Sequence, residues 1–281
     1  MKRLRQRPSL ILMAAMGLML SACSGETPPA ISTTEPPPQV PSATVEAEPP
    51  AQATGSAETA PPSVPVEIPQ PMKVEILGAD GLMLTGTYAG VAGGPSPAAL
   101  LLHMYGMDRS TWSGFALQLQ GEGIASLAID LRGFGDTGGA EDWELAREDV
   151  RAAVAWLPGQ AGIDPDKIAV VGASIGANLS MVLGAEDATI AAIGLLSPGF
   201  DYFRVQIDQE MMRRYGARPA FLAAAEGDGY SAETVRSLAE AALGKAELLL
   251  YPGSAHGTDL LEEHPDFGDK LLKFLMESLL K

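Results

Sequence analysis

The chain has 281 residues, with 35 Asp and Glu against 19 Lys and Arg, a formal net charge of −16 at pH 7. Nucleic-acid binding needs clustered Lys and Arg, so this balance excludes a nucleic acid as an expected partner. A single cysteine, Cys23, excludes an intrachain disulfide, so a folded domain here depends on its own apolar core.

The first residues have the pattern of an export signal. Four basic residues lie among the first seven, and the apolar run that follows, 10–20, is too short for an ordinary membrane-spanning helix. The stretch LSAC, ending at Cys23, resembles the lipobox of bacterial lipoproteins, in which the cysteine is lipidated and becomes the first mature residue. We expect residues 1–22 to be a lipoprotein signal peptide and Cys23 to anchor the chain to the cell envelope; the alternative is a chance cysteine in an ordinary signal. Because Ser24 and not Asp follows the cysteine, the outer membrane is expected in a cell with two membranes.

Residues 23–71 have the composition of a tether. They are rich in Pro, Ala, Thr, Ser and Glu and contain few large apolar side chains. Such a segment cannot bury enough apolar surface to offset the entropy of ordering, so we expect a disordered, extended linker. Residues 72–281 are then expected to form one folded domain.

The first half of this domain starts with two strands around an Asp80-Gly81 turn signal, in KVEILGADGLMLTGTYAG. AALLLHMYG and IASLAIDLRGFG follow as continuous apolar runs, typical of strands buried on both faces. EDWELAREDVRAAVAWL has apolar residues near helical spacing. KIAVV then reads as another buried strand, which leads through a small-residue turn into a helix, ANLSMVLGA.

The second half repeats this alternation. Strands are predicted in IAAIGLL, PAFLAAA and AELLLY, and helices in SAETVRSLAEAALG and in the segment that ends at Lys281. Strands that alternate with helices predict an α/β fold, with a mostly parallel sheet of about eight strands and helices on both faces. In such sheets the active site lies beyond the carboxyl ends of the strands.

The turn after KIAVV carries the sequence G-x-S-x-G, with Ser174 between Gly172 and Gly176. In a nucleophile elbow, a serine sits on a strained strand-to-helix turn, and its neighbours must be small because strand and helix approach closely. Chance matches to so short a pattern are common, but the apolar strand before it and the helix after it are the context that the mechanism requires. Ser174 is therefore the candidate nucleophile.

A serine nucleophile needs a base, and three histidines are available. His256 lies in YPGSAHG, directly after the last predicted strand, which puts it at the catalytic edge of the sheet. His264, in LEEHPDF, is expected at the surface, and His103 is expected to belong to the loop after its own strand. His256 is therefore the candidate base.

The base in turn needs an orienting acid. Asp228 follows the strand PAFLAAA and falls between Ser174 and His256 in the chain, the order typical of this motif class. Glu226 on the same loop is the competing acid, and Asp201 is a more remote one.

From about residue 72 to its end, the chain resembles the α/β-hydrolases, and among them the dienelactone-hydrolase-like esterases. LLHMYGMDRSTW resembles that family's oxyanion loop, DLRGFGDTGG the turn after its fourth strand, and GIDPDKIAVVGASIGAN its elbow. The resemblance implies that the backbone N–H of Tyr105 binds the oxyanion together with that of Ile175, the residue after the nucleophile. Two departures stand out: Met104 follows His103 where the family commonly has glycine, and Ser174 stands where dienelactone hydrolase itself has cysteine.

A competing motif is G-x-G-x-x-G at 133–138, which also follows a strand and would suit a dinucleotide-binding oxidoreductase. Asp130 and Arg132 crowd the strand end, and the next helix starts late, so we reject this interpretation. No histidine pair has metal-ligand spacing, and we expect no metal and no cofactor.

These residues predict a membrane-anchored serine hydrolase that acts on small carboxylic esters, expected to be a monomer. A peptidase or thioesterase would use the same triad, and a non-catalytic envelope binding protein is the alternative from another class. The connection 197–218 is long enough for only one short helix, around DQEMMRRYG. We therefore expect no lid domain, an open site and a preference for short acyl chains.

Overall fold

A computed structural model describes residues 68–281. The predicted signal peptide 1–22, the lipidation site Cys23 and nearly all of the predicted tether lie outside the described residues. Within the described part, no helix is both long enough and apolar enough to cross a membrane.

Eight strands form one twisted sheet, and two more form a small separate hairpin. The sheet strands are β1 (Met72–Leu77), β2 (Met83–Ala89), β3 (Ser96–Leu102), β4 (Ala125–Ile129), β5 (Ile163–Ala173), β6 (Ile190–Leu196), β9 (Ala220–Ala225) and β10 (Ala246–Tyr251); the hairpin strands are β7 (Asp201–Tyr202) and β8 (Val205–Gln206). The order across the sheet is β1-β2-β4-β3-β5-β6-β9-β10. β2 pairs antiparallel with β1 and β4, and all other neighbours are parallel, so the predicted mostly parallel sheet is confirmed.

Helices cover both faces of the sheet, as predicted. They are α1 (Ser113–Gly121), α2 (Trp143–Trp156), α3 (Ile175–Glu186), α4 (Gln209–Tyr215), α5 (Gly229–Ala241), α6 (Asp259–Glu263) and α7 (Phe267–Leu279). The apolar side chains of α2 to α5 pack with one face of the sheet, and those of α1, α6 and α7 with the other. The result is a three-layer α/β/α sandwich, and no lid domain is evident in residues 68–281.

Strand β3 shows why its sequence is a continuous apolar run. Leu100 and Leu102 point into the core beneath α2 and α3, and Leu101 points into the opposite core beneath α1 and α7; all three are fully buried. Side chains alternate between the two faces of a strand, so a strand covered on both sides needs apolar residues at every position.

The connection between β6 and β9 differs in part from its prediction. The expected short helix is present as α4, but the hairpin β7–β8 precedes it and was not predicted. Phe203 and Arg204 at the hairpin tip have φ values of 51° and 70°, the left-handed pair that a tight two-residue hairpin requires. Asn-Gly or Asp-Gly are the usual residues there, so the sequence carries no signal for this turn.

The glycine-rich segment 133–138 is used to enclose a buried carboxylate. Asp130, fully buried, accepts hydrogen bonds from the backbone N–H of Arg109 (2.8 Å) and of Asp136 (2.7 Å). A Cβ on Gly135 would collide with that carboxylate. The helix that follows, α2, is capped by the carboxylate of Asp142, which accepts from its first N–H groups. These contacts explain the glycine at position 135 by its packing against Asp130.

Candidate active site

The nucleophile elbow connects β5 to α3 through a single residue, Ser174. Its φ of 52° and ψ of −117° are unfavourable for any residue other than glycine, and they place the hydroxyl at the end of the strand. A Cβ on Gly172 would collide with the carbonyl of Gly176, and a Cβ on Gly176 would lie 2.5 Å from the carbonyl oxygen of Leu102. The two glycines are therefore required by the close approach of α3 to β5 and β3.

A chain of two hydrogen bonds runs from Ser174 through His256 to Asp228. His256 Nε2 lies 2.7 Å from Ser174 Oγ, and His256 Nδ1 lies 2.6 Å from Asp228 Oδ2. An ionised carboxylate only accepts, so Nδ1 carries the proton and donates to Asp228. Nε2 is then free to accept the proton of the Ser174 hydroxyl, which is the arrangement that general-base catalysis needs.

Asp228 is held by its position at the start of a helix. It caps α5, and its Oδ1 accepts from the backbone N–H of Ser231 (3.4 Å) while Oδ2 binds His256. The backbone N–H of Gly227 donates to the carbonyl of Gly253 (2.7 Å), which ties the loop of the acid to the loop of the base. The carboxylate thus faces the imidazole from a fixed direction.

The two competing acids lie elsewhere. Glu226 has a 63% exposed side chain, and its nearest cation is Arg236, at 3.9 Å. Asp201 accepts from the backbone N–H of Arg204 and from the Gln206 amide within the hairpin β7–β8. Of the three candidate acids, Asp228 is the one that the structure brings to His256.

Two buried polar residues that the sequence analysis missed support these loops. Ser197 Oγ accepts the backbone N–H of Gly257, the residue after His256, at 3.0 Å. The Asn178 amide, on α3, donates to the carbonyls of Gly199 and Val205 (2.7 Å each) and accepts the N–H of Gly199 (3.1 Å). Asn178 therefore fastens the hairpin β7–β8 to the helix that carries the nucleophile.

The two expected oxyanion donors lie on adjacent backbone segments. Ile175 is the first residue of α3, where a backbone N–H has no partner within the helix. Tyr105 is in the turn after β3, and its backbone N–H donates to none of residues 68–281. The packing of Gly176 against the carbonyls of Leu102 and His103 brings these two segments together.

His103 is a buried structural residue, in agreement with its expected place in the loop. Its Nδ1 lies 2.7 Å from the carbonyl oxygen of Met104, and its Nε2 accepts the backbone N–H of Leu131 at 2.9 Å. The carbonyl can only accept, so Nδ1 carries the proton and the ring is neutral. Burial lowers the pKa of His103, which strengthens this preference.

His264 is half-buried, and the prediction that it lies at the surface is therefore wrong in part. Its ring lies 4.5 Å from the ring of Tyr251, and its Nε2 is shielded from solvent. It follows α6, a short helix that the sequence did not reveal.

Aromatic side chains connect the tip of the hairpin β7–β8 with the turn after β3. Phe203, at the tip of the hairpin β7–β8, is stacked between Tyr105 (4.8 Å) and Trp143 (5.0 Å), and the Tyr105 hydroxyl donates to Glu141 at 3.3 Å. The hairpin thus reaches the oxyanion loop.

A cleft of about 660 Å³ lies at the other end of the sheet. It is lined by Pro165 and Asp166, in the first part of β5, and by Ile190, the first residue of β6, whereas Ser174 follows the carboxyl end of β5. Its size therefore does not make it the reaction site.

Among the described residues, no group of three His, Cys, Asp or Glu side chains is arranged to hold a metal ion.

Comparisons with known proteins agree with this architecture. An uncharacterised protein of Mycobacterium tuberculosis is 28% identical over 234 residues, which covers 77% of this chain and 83% of that one. An esterase of Pyrococcus furiosus superposes with a TM-score of 0.64 at 21% identity, covering 75% of this chain and 93% of the esterase. A dienelactone hydrolase of Anabaena variabilis superposes with a TM-score of 0.60 at 21% identity, covering 76% and 98%.

At these identities the solved structures establish the shared fold, which agrees with the sequence resemblance noted above. The profile of the alpha/beta hydrolase family matches residues 99–272, from within β3 to α7. That range contains the elbow, both loops of the hydrogen-bonded chain and the hairpin β7–β8. The chain therefore belongs to the alpha/beta hydrolase family.

Proposed function

We propose that the protein is a serine hydrolase that cleaves carboxylic esters through an acyl-enzyme. The observation that supports this most strongly is the hydrogen-bonded chain Ser174–His256–Asp228, with its nucleophile on a strained elbow. A protein that only binds a ligand has no need of an activated hydroxyl at such a position.

The proposed reaction starts with attack of Ser174 Oγ on the ester carbonyl carbon, while its proton passes to His256 Nε2. Asp228 stabilises the imidazolium that forms and keeps the ring in the required tautomer. The backbone N–H groups of Ile175 and Tyr105 donate to the oxyanion of the tetrahedral intermediate. His256 then protonates the departing alcohol, and water releases the acid in the reverse sequence.

Esters of short acids are the substrate class that the site favours. Among residues 68–281, no inserted domain is evident that would shelter a long chain, and the connection after β6 holds only the small hairpin and α4. The esterase and the dienelactone hydrolase share the fold, which is compatible with this proposal.

The direct test is labelling with a fluorophosphonate, which phosphonylates activated serines. Wild-type protein is expected to be labelled and to hydrolyse nitrophenyl acetate, and Ser174→Ala is expected to do neither. Ser254→Ala is the matched control, because Ser254 is an exposed serine two residues before His256. Labelling that persists in Ser174→Ala would reject this nucleophile. If the wild type is never labelled, a non-catalytic binding protein is favoured. If a parallel screen shows faster cleavage of thioesters or peptides than of esters, the substrate class is not carboxylic esters.

We further propose that the protein is exported and anchored to the cell envelope by a lipid on Cys23. This rests on the basic and apolar N-terminal pattern and on the sequence LSAC. A lipobox product carries more than one acyl chain, which gives stable membrane binding where a single chain gives only marginal binding. Wild-type protein is expected in the membrane fraction and Cys23→Ser without lipid; a wild type that is fully soluble after export contradicts the anchor.

A further inference from the structure

The hairpin β7–β8 brings a phenol to the proposed triad. The ring of Tyr202 lies 6.2 Å from the ring of His256 and nearly perpendicular to it. Its hydroxyl lies 3.2 Å from Ser231 Oγ, on the first turn of the helix that Asp228 caps. Tyr202 thus lies beside His256, the residue whose Nε2 is 2.7 Å from Ser174 Oγ, and its hydroxyl contacts the helix end that carries Asp228.

The phenol is held in place by contacts that are independent of the triad. Asn178 binds the backbone of Gly199 before the hairpin and of Val205 within it. The Tyr230 hydroxyl accepts the backbone N–H of Asp201 at 2.8 Å. Phe203 stacks on Tyr105 at the tip. A hairpin whose tip has two left-handed non-glycine residues persists only where its surroundings fix it, as these contacts do.

The phenol is equipped to donate a hydrogen bond. Burial raises the pKa of Tyr202 and so does the nearby charge of Asp228, which together outweigh the opposite effect of Ser231 and Ser174. The hydroxyl therefore keeps its proton at neutral pH. Ser231 is fully buried, and its hydroxyl can donate to the Tyr202 oxygen, which leaves the phenol proton free to point at the reaction centre.

Its position sets it apart from the oxyanion donors. The N–H groups of Ile175 and Tyr105 come from the elbow and from the turn after β3. Tyr202 instead lies on the side of His256 and Ser231. In a serine hydrolase, the departing alcohol and the attacking water both occupy the histidine side, because histidine exchanges a proton with each of them.

We propose that the Tyr202 hydroxyl is a further catalytic group of this hydrolase: it donates a hydrogen bond to the alkoxy oxygen that leaves and to the water oxygen that attacks. This inference rests on the serine hydrolase function proposed above. It assigns to the hairpin β7–β8 a part in the chemistry.

In the first step, the Ser174 oxygen bonds to the carbonyl carbon and its proton moves to His256; the bond from carbon to the alkoxy oxygen then breaks as His256 gives that proton to the alcohol. In the second step, water bonds to the same carbon as its proton passes to His256. The bond from carbon to Ser174 Oγ then breaks as His256 gives that proton to Oγ, and the carboxylic acid leaves. Tyr202 keeps its own proton throughout and stabilises negative charge on the oxygen in transit.

A poor leaving group needs this help more than a good one, because more negative charge develops on its oxygen. We therefore expect Tyr202→Phe to lower kcat for an ethyl ester by about tenfold or more, as for loss of one hydrogen bond to a charged atom. With a nitrophenyl ester, the rate of nitrophenolate release in the first turnover of Tyr202→Phe should change much less. The attack of water on the acyl-enzyme should become slower, so that a burst of nitrophenolate appears. The substitution also leaves the buried Ser231 hydroxyl without its partner, so the thermal unfolding temperature should fall somewhat, and both esters are measured well below it.

Tyr230→Phe is the matched control, since it removes a phenol that binds the same hairpin without reaching the triad. It should change the turnover of ethyl and nitrophenyl esters by the same factor. Equal ratios of the two esters in Tyr202→Phe, Tyr230→Phe and wild type would overturn the role of Tyr202. A wild type that is neither labelled by fluorophosphonate nor active on any ester would instead reject the proposed function, so the two failures are distinguishable.

Discussion

Two histidines at the same edge of the sheet differ in what their ring nitrogens contact. His103 follows β3, and both of its nitrogens bind backbone groups, of Met104 and of Leu131. His256 follows β10, and both of its nitrogens bind side chains, of Ser174 and of Asp228. Both rings are hydrogen-bonded at each nitrogen, so the number of hydrogen bonds does not distinguish a base from a structural residue.

The chemical nature of the partners does distinguish them. A backbone carbonyl and a backbone N–H hold His103 in one neutral tautomer, and its complete burial lowers its pKa. A side-chain hydroxyl and a carboxylate bind His256, whose side chain is 36% exposed. The backbone therefore fixes the ring of His103, whereas the ring of His256 links the Ser174 hydroxyl to the Asp228 carboxylate.

The largest effect is expected when His256, the proposed base, is removed. His256→Ala should lower kcat/KM for nitrophenyl acetate by roughly four orders of magnitude or more, because members of a triad act as a unit. The unfolding temperature should change little, since the loop is partly exposed. Retention of more than a few per cent of the activity would assign the base elsewhere.

The acid should rank next. Asp228→Asn is expected to lower kcat by about 10⁴-fold, because an amide favours the wrong tautomer of the histidine. Glu226→Gln, on the same loop but exposed, should have nearly wild-type activity and is the matched control. The opposite ranking of these two variants would identify Glu226 as the acid.

The structural histidine should affect stability more than chemistry. His103→Ala leaves the buried N–H of Leu131 without an acceptor, which costs about 1–3 kcal/mol of the free energy of unfolding. Urea unfolding of the purified domain measures this loss. If His103→Ala is as stable as the wild type but inactive, His103 takes part in the reaction.

The same residue gives the wild type a pH dependence. Its pKa is lower in the folded chain than the ordinary 6.5, so below pH 6.5 the unfolded state binds more protons than the folded state. The free energy of unfolding should therefore fall as the pH drops from about 6.5 toward the lowered pKa. Subtracting the free energy of unfolding of His103→Ala from that of the wild type at each pH removes the contribution of the other titrating groups. The difference should still fall as the pH drops. If the two proteins lose stability in parallel, this role of His103 is contradicted.

The smallest expected effect concerns the acyl chain. Each methylene that stays exposed in the open site forgoes about 0.8 kcal/mol of binding, so kcat/KM should be highest for acetate or butyrate esters and fall beyond about eight carbons. No interfacial activation is expected. A steady rise toward palmitate, measured with nitrophenyl esters, would indicate an apolar groove beside Ser174.

The parts of the site that follow from local sequence were predictable, and those that depend on distant contacts were not. Ser174 could be chosen as the candidate nucleophile because its glycines, strand and helix are contiguous. That His256 and Asp228 lie near it could be predicted because each follows a buried strand and parallel strands end at one edge.

Tyr202, Ser197 and Asn178 carried no such signal. Their hydrogen-bond partners are far away in the chain, and the hairpin that positions Tyr202 turns through Phe203 and Arg204 instead of the usual glycine. A polar residue that is buried through long-range contacts looks like any other in the sequence. The motif at 133–138 was rejected from the sequence as a dinucleotide site, but the packing of Gly135 against the buried Asp130 could not be predicted from it.

The central claim is that Ser174 forms an acyl-enzyme, and rapid quenching followed by peptide mass spectrometry tests it most directly. Wild-type protein mixed with nitrophenyl acetate and quenched in acid within the first turnover should carry one acetyl group on the peptide that contains Ser174. His256→Ala should carry none. An acetyl group on another residue, or turnover without any acylated peptide, would contradict the account.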